Sequence, residues 1–311
     1  MTLPHDRSRL LVEQGVPTTF FLNSIDRWIQ TMITDDRGGN DSTSRLVEAK
    51  VIAKEQGIVC GHIVVDRLIE KYARDCSIQW NLQEGEVVKA GEIVLRINAY
   101  SSDILKIERV LLNILGRLSG IATSTSKWVS ISENIGIACT RKTDWGLLDK
   151  WAVHIGGGLT HRLDREDALM LKENDVASEQ KNGEDEIDTL KRIMMNIDLE
   201  KNTEFTIIEI RDDEQAVVAA ETWARLQSNY GNEKPIVLLL DNMKIDEIKS
   251  IVEKLRLLNL RDWCILEGSG GITINSLTEW NTSGVDLVST SSVNRGVPPL
   301  DLSMIIEGSD E

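Results

Sequence analysis

Cationic residues cluster within residues 140–175, and they carry the strongest chemical signal in this chain. They end apolar segments or follow a glycine triplet, and they are Arg141, Lys142, His161, Arg162 and Lys172. Arginine forks suit carboxylates, whereas lysine supplies point charges for phosphates. So many cations at the ends of apolar segments in an acidic chain predict a site for an anionic small molecule. Taken alone, a histidine is more often a structural hydrogen-bonding residue, and a surface Arg-Lys pair is usually only solvated.

Two carboxylates, Glu209 and Asp241, each follow an apolar run that ends in IIE or LLLD. In a βα barrel, such strand ends meet in one mouth. A carboxylate pair there could hold Mg²⁺, bind sugar hydroxyls and stabilise positive charge on a ribose ring. The alternative is that each residue only caps the helix that follows its strand.

A glycine-rich turn, Ser269-Gly270-Gly271, lies between another apolar run and a predicted helix. Backbone N–H groups in such a turn can cradle a phosphate, assisted by the helix dipole. A second polar turn at 289–294, which contains Ser291 and Ser292, would complete a phosphate site of the kind that βα barrels build from their last two strands. The alternative is an ordinary Gly-Gly turn that binds nothing.

Alternating strands and helices must position these residues. Short apolar runs predict six strands, at 135–140, 168–171, 203–210, 235–240, 263–266 and 285–289. Helical patterns lie between them, most clearly at 214–226, 245–257 and 274–280. Such alternation predicts parallel strands with helices outside, and six repeats rather than eight predict a shortened or open barrel.

The first part of the chain has a different pattern, with helices at 20–32 and 62–73 and short strands between turn-like breaks. A long helix over 102–132 leads out of it. We therefore predict an α/β protein with a mixed α/β N-terminal domain (1–112) and a shortened or open, TIM-like α/β barrel (113–292). The segment 293–311 is predicted to pack back on the N-terminal domain.

Composition restricts the partners. A formal net charge of −15 makes nucleic acid and anionic membranes poor partners, and no apolar run is long enough to span a bilayer. The four cysteines include no C-x-x-C pair, and the chain starts without a secretory leader, so we expect free thiols in a reducing cytoplasm. No histidine pair has metal-ligand spacing.

The chain resembles the quinolinate phosphoribosyltransferases, which are type II phosphoribosyltransferases, over nearly its full length. The motifs occur in the family's order and spacing: DDRGGNDST (35–43), ERVLLNILGRLSGIAT (108–123), TRKT (140–143), GGG-x-x-HR (156–162), LKEN (171–174), LLDN (239–242), SGGIT (269–273) and VPPLDLS (297–303). The resemblance implies a pentosyltransferase, nicotinate-nucleotide diphosphorylase (carboxylating). Such an enzyme transfers ribose 5-phosphate from phosphoribosyl pyrophosphate to quinolinate with decarboxylation, using Mg²⁺. It also implies that the N-terminal domain is an α/β sandwich joined to the open α/β barrel, and that the protein is a homodimer with shared active sites.

The same resemblance implies a role for each matching residue. Quinolinate would be bound by Arg109 from the partner subunit, Arg141, His161, Arg162 and Lys172. Phosphoribosyl pyrophosphate and its magnesium would be bound by Lys142, Glu209 and Asp241. The 5′-phosphate would be bound by Ser269, Gly270, Gly271, Ser291 and Ser292. Lys142, Lys172, Glu209 and Asp241 are the expected catalytic residues.

Three positions depart from the family pattern. Trp145 stands where the family has proline, in a slightly shorter loop; Asp175 replaces a histidine; and Ser291 replaces the glycine of the last phosphate turn.

Two rival functions are considered beside this one. A relative that uses nicotinate without decarboxylation would need fewer cations than this chain has. A non-catalytic paralogue that binds phosphorylated ligands is opposed by Glu209 and Asp241 and left open by Ser291.

Overall fold

The structure, a computed structural model, describes residues 3–36, 44–73, 75–199 and 204–307. Most of the DDRGGNDST motif, the first residue of the strand predicted at 203–210 and the last residues of 293–311 lie outside this part of the chain. The described residues form two compact units. The six-stranded unit comprises Trp128–Arg141, His161–Ser291 and the described residues up to Asp6. The four-stranded unit comprises Arg7–Lys127, Lys142–Thr160 and the described residues from Ser292.

Strands and helices follow the sequence patterns closely. The strands are β1 (Val12–Glu13), β2 (Val16–Pro17), β3 (Leu46–Ala53), β4 (Gly57–Ile58), β5 (Ser77–Trp80), β6 (Val87–Val88), β7 (Ile93–Tyr100), β8 (Gly136–Cys139), β9 (Leu169–Leu171), β10 (Thr206–Ile210), β11 (Ile236–Asp241), β12 (Cys264–Ser269), β13 (Leu287–Thr290) and β14 (Leu302–Glu307). The helices are α1 (Thr19–Asp35), α2 (His62–Tyr72), α3 (Ser101–Ile131), α4 (Leu147–Ile155), α5 (Glu173–Glu179), α6 (Glu186–Met195), α7 (Asp213–Asn229), α8 (Ile245–Leu257) and α9 (Leu277–Trp280).

The six-stranded sheet is entirely parallel, in the order β8-β13-β12-β11-β10-β9. Its strands are nearly continuous apolar runs because both faces are covered. The first strand pairs with the last, and no pairing joins β8 to β9 within the described residues. This order is that of a βα barrel left open between its first two strands, which confirms the predicted fold class.

Strand register places the polar residues in levels. Glu209 of β10 is opposite Leu239 of β11, which is opposite Glu267 of β12. One level further along the strands, Asp241 is opposite Ser269, and Ser269 is opposite Ser289 of β13. Because side chains alternate between the two faces of a strand, all of these residues face the same side of the sheet.

Outer helices of this unit pack through buried apolar stripes. In α7 the stripe is Ala216, Ala219 and Trp223, and the helix begins where the Asp212 carboxylate accepts the N–H of Gln215. Only the helix predicted at 274–280 is shorter than expected: a 3₁₀ turn (Ile274–Ser276) precedes the single turn of α9. A helix this short brings little dipole to the glycine turn.

The other unit contains an antiparallel sheet in the order β14-β3-β7-β5. Strand β3 alternates buried and partly exposed residues, as expected for a sheet with one face on a core. The last strand, β14, pairs with β3 from Leu302↔Ala53 to Glu307↔Glu48. The predicted domain limits (1–112, 113–292 and 293–311) stay a prediction. In the described part of the chain, no helix combines the length and apolar character needed to cross a membrane.

Candidate functional site

Arg162 is a buried cation beside a cavity of the six-stranded unit, and the lining of this cavity also includes Asp175 and Glu179. Its guanidinium donates to the Ala168 carbonyl at 3.1 Å and contacts the Met170 Sδ at 3.1 Å. The residue is only 7% exposed, and with Arg165 it lines a cavity of about 580 Å³. Burial lowers the pKa of Arg162, and the neighbouring charges of Arg141 and Arg165 lower it further. Within the described residues no carboxylate forms an ion pair with Arg162, so the pocket suits an anionic ligand.

His161 has partners on both sides of its ring. Its Nε2 lies 3.0 and 3.2 Å from the two carboxylate oxygens of Glu267, and its Nδ1 accepts the N–H of Arg162 at 2.7 Å. The residue is 4% exposed and adopts a left-handed backbone (φ 53°), which is uncommon outside glycine. A direct contact between His161 and an acid substrate stays a prediction. The geometry favours the structural role that the sequence also allowed.

Lys172 and Glu209 meet at the ends of neighbouring strands. The Nζ of Lys172 lies 3.2 Å from the Oε2 of Glu209, with the lysine half-exposed and the carboxylate mostly buried. The N–H of Lys172 donates to the carboxylate of Asp175 at 2.8 Å. Asp175, which departs from the family pattern, thus caps the start of α5.

Asp241 ends β11, and its carboxylate accepts a hydrogen bond from the Nδ2 of Asn242 at 3.0 Å. The following helix, α8, begins after Lys244, whose N–H is accepted by Glu247 instead. Capping is therefore not the role of Asp241. Because Glu209 is opposite Leu239, two residues before Asp241, the two carboxylates face the same side of adjacent strands.

The glycine turn is shaped for close approach. Gly270 has φ 96°, and a Cβ there would lie 2.2 Å from the Oδ1 of Asn242, so no other residue fits. Gly271 has φ 59° and open space where its Cβ would be. Ser269 is half-buried beside it. A turn whose backbone faces open space at Gly271 is suited to a phosphate.

In the second polar turn, at 289–294, some side chains bond inside the protein and others are accessible. Thr290 donates to the Ile272 carbonyl at 3.1 Å and so ties this turn to the glycine turn. Ser289 donates to the carboxylate of Glu267 and is 4% exposed, so it points into the protein. Ser291 is half-buried.

Three predicted site residues lie in the four-stranded unit. Arg109 is exposed on α3 and lines a cavity of about 460 Å³ together with Arg117, Trp145 and residues 297–302. Lys142 is exposed, and its carbonyl accepts from the Nδ2 of Asn294 at 3.1 Å. Ser292 is exposed.

The loop around Trp145, which differs in sequence from the family pattern, is organised by Asp149. This fully buried carboxylate accepts hydrogen bonds from the Nε and Nη2 of Arg117, at 2.9 and 2.8 Å. It also accepts one from the backbone N–H of Asp144, at 2.9 Å. Trp145 stacks on Trp28, and the Arg117 guanidinium lies 5.0 Å from the Trp145 ring. The loop therefore has its own supports in place of the family's proline.

Sequence reasoning gave no role to Glu267, His5 or Asp149. The available signal for Glu267 was a carboxylate inside an apolar barrel strand, CILEGS, where aliphatic residues are the rule. His5 precedes every regular element in the sequence, so nothing local linked it to the barrel.

Together, the fold and the site define an open α/β barrel with a carboxylate pair and a glycine turn at its strand ends and a buried arginine in the segment before β9. Two protein-family models match the chain. The model described as "Quinolinate phosphoribosyl transferase, C-terminal domain" covers residues 121–305, and the corresponding N-terminal domain covers residues 30–119. The chain therefore belongs to the quinolinate phosphoribosyltransferase family.

Individual relatives agree with this assignment. The chain is 33% identical over 293 residues to the probable nicotinate-nucleotide pyrophosphorylase [carboxylating] of Methanothermobacter thermautotrophicus, covering 90% of this chain and 98% of the relative. It is 28% identical to quinolinate phosphoribosyltransferase [decarboxylating] 1 of Nicotiana glauca, covering 96% and 86%. The solved structure of NadC from Streptococcus pyogenes superposes with a TM-score of 0.77 at 25% identity, covering 93% and 98%.

Proposed function

We propose that this protein transfers ribose 5-phosphate from phosphoribosyl pyrophosphate to the ring nitrogen of quinolinate. The products are nicotinate mononucleotide, pyrophosphate and carbon dioxide. The observation that carries the proposal is the buried Arg162 guanidinium, which has cationic neighbours and no carboxylate partner within the described residues. A diacid substrate supplies the missing negative charge. The relatives named for this activity match over nearly the whole chain.

Each side of the pocket has its own task. Arg141 and Arg162 hold the substrate carboxylates, with Arg162 making a charge-assisted contact. Glu209 and Asp241 face the ribose, where positive charge develops at the anomeric carbon as pyrophosphate departs, and their negative charge stabilises it. Lys172, which pairs with Glu209, is assigned to the substrate acid. The glycine turn holds the 5′-phosphate, and Lys142 is assigned to the pyrophosphate.

Magnesium is the proposed cofactor. The donor set fits, because Glu209 and Asp241 are oxygen ligands on the same side of neighbouring strands. When bound, the ion neutralises charge on the pyrophosphate leaving group. Glu209 and Asp241 are the residues that would hold it, and in the absence of the ion Lys172 balances the charge of Glu209.

The rival activity, transfer to nicotinate, is distinguished by one assay. Purified protein is given phosphoribosyl pyrophosphate, Mg²⁺ and either pyridine acid. We expect kcat/KM for quinolinate to exceed that for nicotinate by about thirtyfold or more, since a monoacid leaves an arginine charge unpaired. Chelation of Mg²⁺ should abolish turnover. Equal or faster use of nicotinate contradicts the diacid assignment, and a lack of turnover with either acid favours the non-catalytic rival.

We further propose a homodimer with shared sites in a reducing cytoplasm. None of the four cysteines, all of which the structure describes, forms a disulfide. Arg109 is exposed beside a cavity, and Leu46, Tyr100 and Leu105 of the same unit are exposed apolar side chains, as expected of a surface that a partner covers.

A complementation experiment tests the dimer. Inactive Arg109→Ala protein is mixed with inactive Lys172→Ala protein under conditions of proven subunit exchange. If Arg109 acts across the interface, random mixing should restore about a quarter of wild-type activity, because half of the dimers contain one intact site of two. A mixture of Glu209→Ala with Lys172→Ala is the control and should stay inactive, since these two residues pair within one chain. No recovery in the first mixture would place Arg109 outside the partner's site.

A further inference from the structure

A buried carboxylate lies below the proposed acid pocket. Glu267 is 0% exposed inside the barrel, where an isolated charge is costly. Three donors satisfy it: the Nε2 of His5 at 3.1 Å, the Nε2 of His161 at 3.0 Å and the hydroxyl of Ser289. Burial by itself would raise the pKa of Glu267, but the two imidazoles hold the pKa of that carboxyl well below its usual range. Glu267 is therefore an anion that organises its donors.

The hydrogen bonds determine the tautomer of His161. Its Nδ1 accepts the backbone N–H of Arg162 at 2.7 Å and carries no proton, so in the neutral ring the proton is on Nε2 and is donated to Glu267. A metal ion at the His5–His161–Glu267 cluster would need the Nε2 lone pair and would move the proton to Nδ1, against the N–H of Arg162. The cluster is thus suited to hydrogen bonding and unsuited to a metal.

The chain of contacts leads to the acid-binding group. Glu267 contacts the His161 ring, the ring accepts the Arg162 N–H, and the Arg162 side chain lines the neighbouring cavity. His5 completes the support, with its ring 4.9 Å from Phe205 and 5.0 Å from His161. The left-handed backbone at His161 is unfavourable by itself. The hydrogen bonds to the His161 side chain therefore help to stabilise that conformation.

We propose that Glu267 and His5 are positioning residues, which act through His161 to hold Arg162 in its acid-binding orientation. The inference rests on the proposed function and gives His161 a supporting role in the acid pocket through its contacts with Glu267 and Arg162. Glu267 keeps its charge and touches no substrate atom.

The test is the Glu267→Gln variant, which keeps the side-chain shape and removes the charge. We expect the KM for quinolinate to rise about tenfold to a hundredfold, as displaced binding groups do, while kcat at saturation and the KM for phosphoribosyl pyrophosphate change less than about threefold. The matched control is Asp286→Asn. The Asp286 carboxylate is hydrogen-bonded inside the barrel as well, by the backbone N–H of Leu266 at 2.7 Å, but contacts neither histidine, and the quinolinate KM of this variant should stay within about twofold of the wild type.

A second variant keeps the inference testable if Glu267→Gln does not fold. His5→Phe preserves an aromatic ring beside Phe205 and removes one donor, so quinolinate KM should rise in the same direction by a smaller factor. An unchanged quinolinate KM in the folded variants, or an equal rise in Asp286→Asn, overturns the proposal.

A spectroscopic measurement separates this inference from the proposed activity. In ¹⁵N-histidine NMR spectra, His161, assigned with His161→Gln, should show the Nε2–H tautomer in the wild type, because its Nδ1 accepts the Arg162 N–H, and its Nε2 resonance should shift in Glu267→Gln, where the charged acceptor is lost. This readout does not require turnover, so an inactive wild type would defeat the proposed function and leave the tautomer result to decide the inference. An Nδ1–H tautomer, or stoichiometric metal that Glu267→Gln releases, would overturn it.

Discussion

Replacement of Arg162 by alanine is expected to lower kcat/KM for quinolinate by about thirtyfold to several thousandfold, equivalent to roughly 2–5 kcal/mol. The guanidinium is buried, burial and the charges of Arg141 and Arg165 lower its pKa more than Glu267 and Asp164 raise it, and no described carboxylate forms an ion pair with it. A substrate carboxylate is therefore its main anionic partner. Quinolinate affinity, measured by calorimetry, should fall together with kcat/KM.

Arg165→Ala is the matched control for this experiment. Arg165 lines the same cavity but is exposed, so its removal should change kcat/KM by less than about threefold because a solvated charge contributes little. The acid-binding role of Arg162 is refuted if Arg162→Ala folds and binds quinolinate as the wild type does. It is also refuted if Arg165→Ala has the larger effect.

Asp241→Ala should lower kcat by about a hundredfold to a thousandfold while leaving quinolinate binding near normal. The carboxylate is at the end of β11, on the same side as Glu209, and is assigned to the ribose and the metal. Removing an electrostatic group that acts where charge develops affects the transition state more than the ground state. Calorimetry with quinolinate alone, without the second substrate, measures the quinolinate affinity, which should be close to that of the wild type.

An exposed aspartate just beyond the same strand provides the comparison. Asp246 is in the first turn of α8, and Asp246→Ala should leave kcat within about twofold of the wild type. If Asp241→Ala protein is folded and has lost quinolinate binding, the division of the pocket into a cationic acid side and an anionic ribose side is wrong.

Sequence patterns predicted the barrel well because its strands are short, apolar and regularly separated. Five of the predicted strands begin and end within a few residues of β8, β9, β10, β11 and β13, and the sixth became β12 with three further residues at its end. Local hydrophobic periodicity is sufficient for this, since strands buried on both faces need continuous apolar runs. Helix α9 fell short of its pattern because a 3₁₀ turn, capped by Thr273, takes its first residues.

The sequence by itself determined the open α/β barrel and the identity of the charged residues at its strand ends, because both follow from local residue type and spacing. Only the tertiary structure decided their partners. It linked His5 to Glu267 across 262 positions and engaged both ring nitrogens of His161 inside the protein. It also showed that Lys244 and Glu247, and not Asp241, cap the start of α8. Such contacts depend on which strands lie side by side and in what register, and sequence spacing alone does not contain that information.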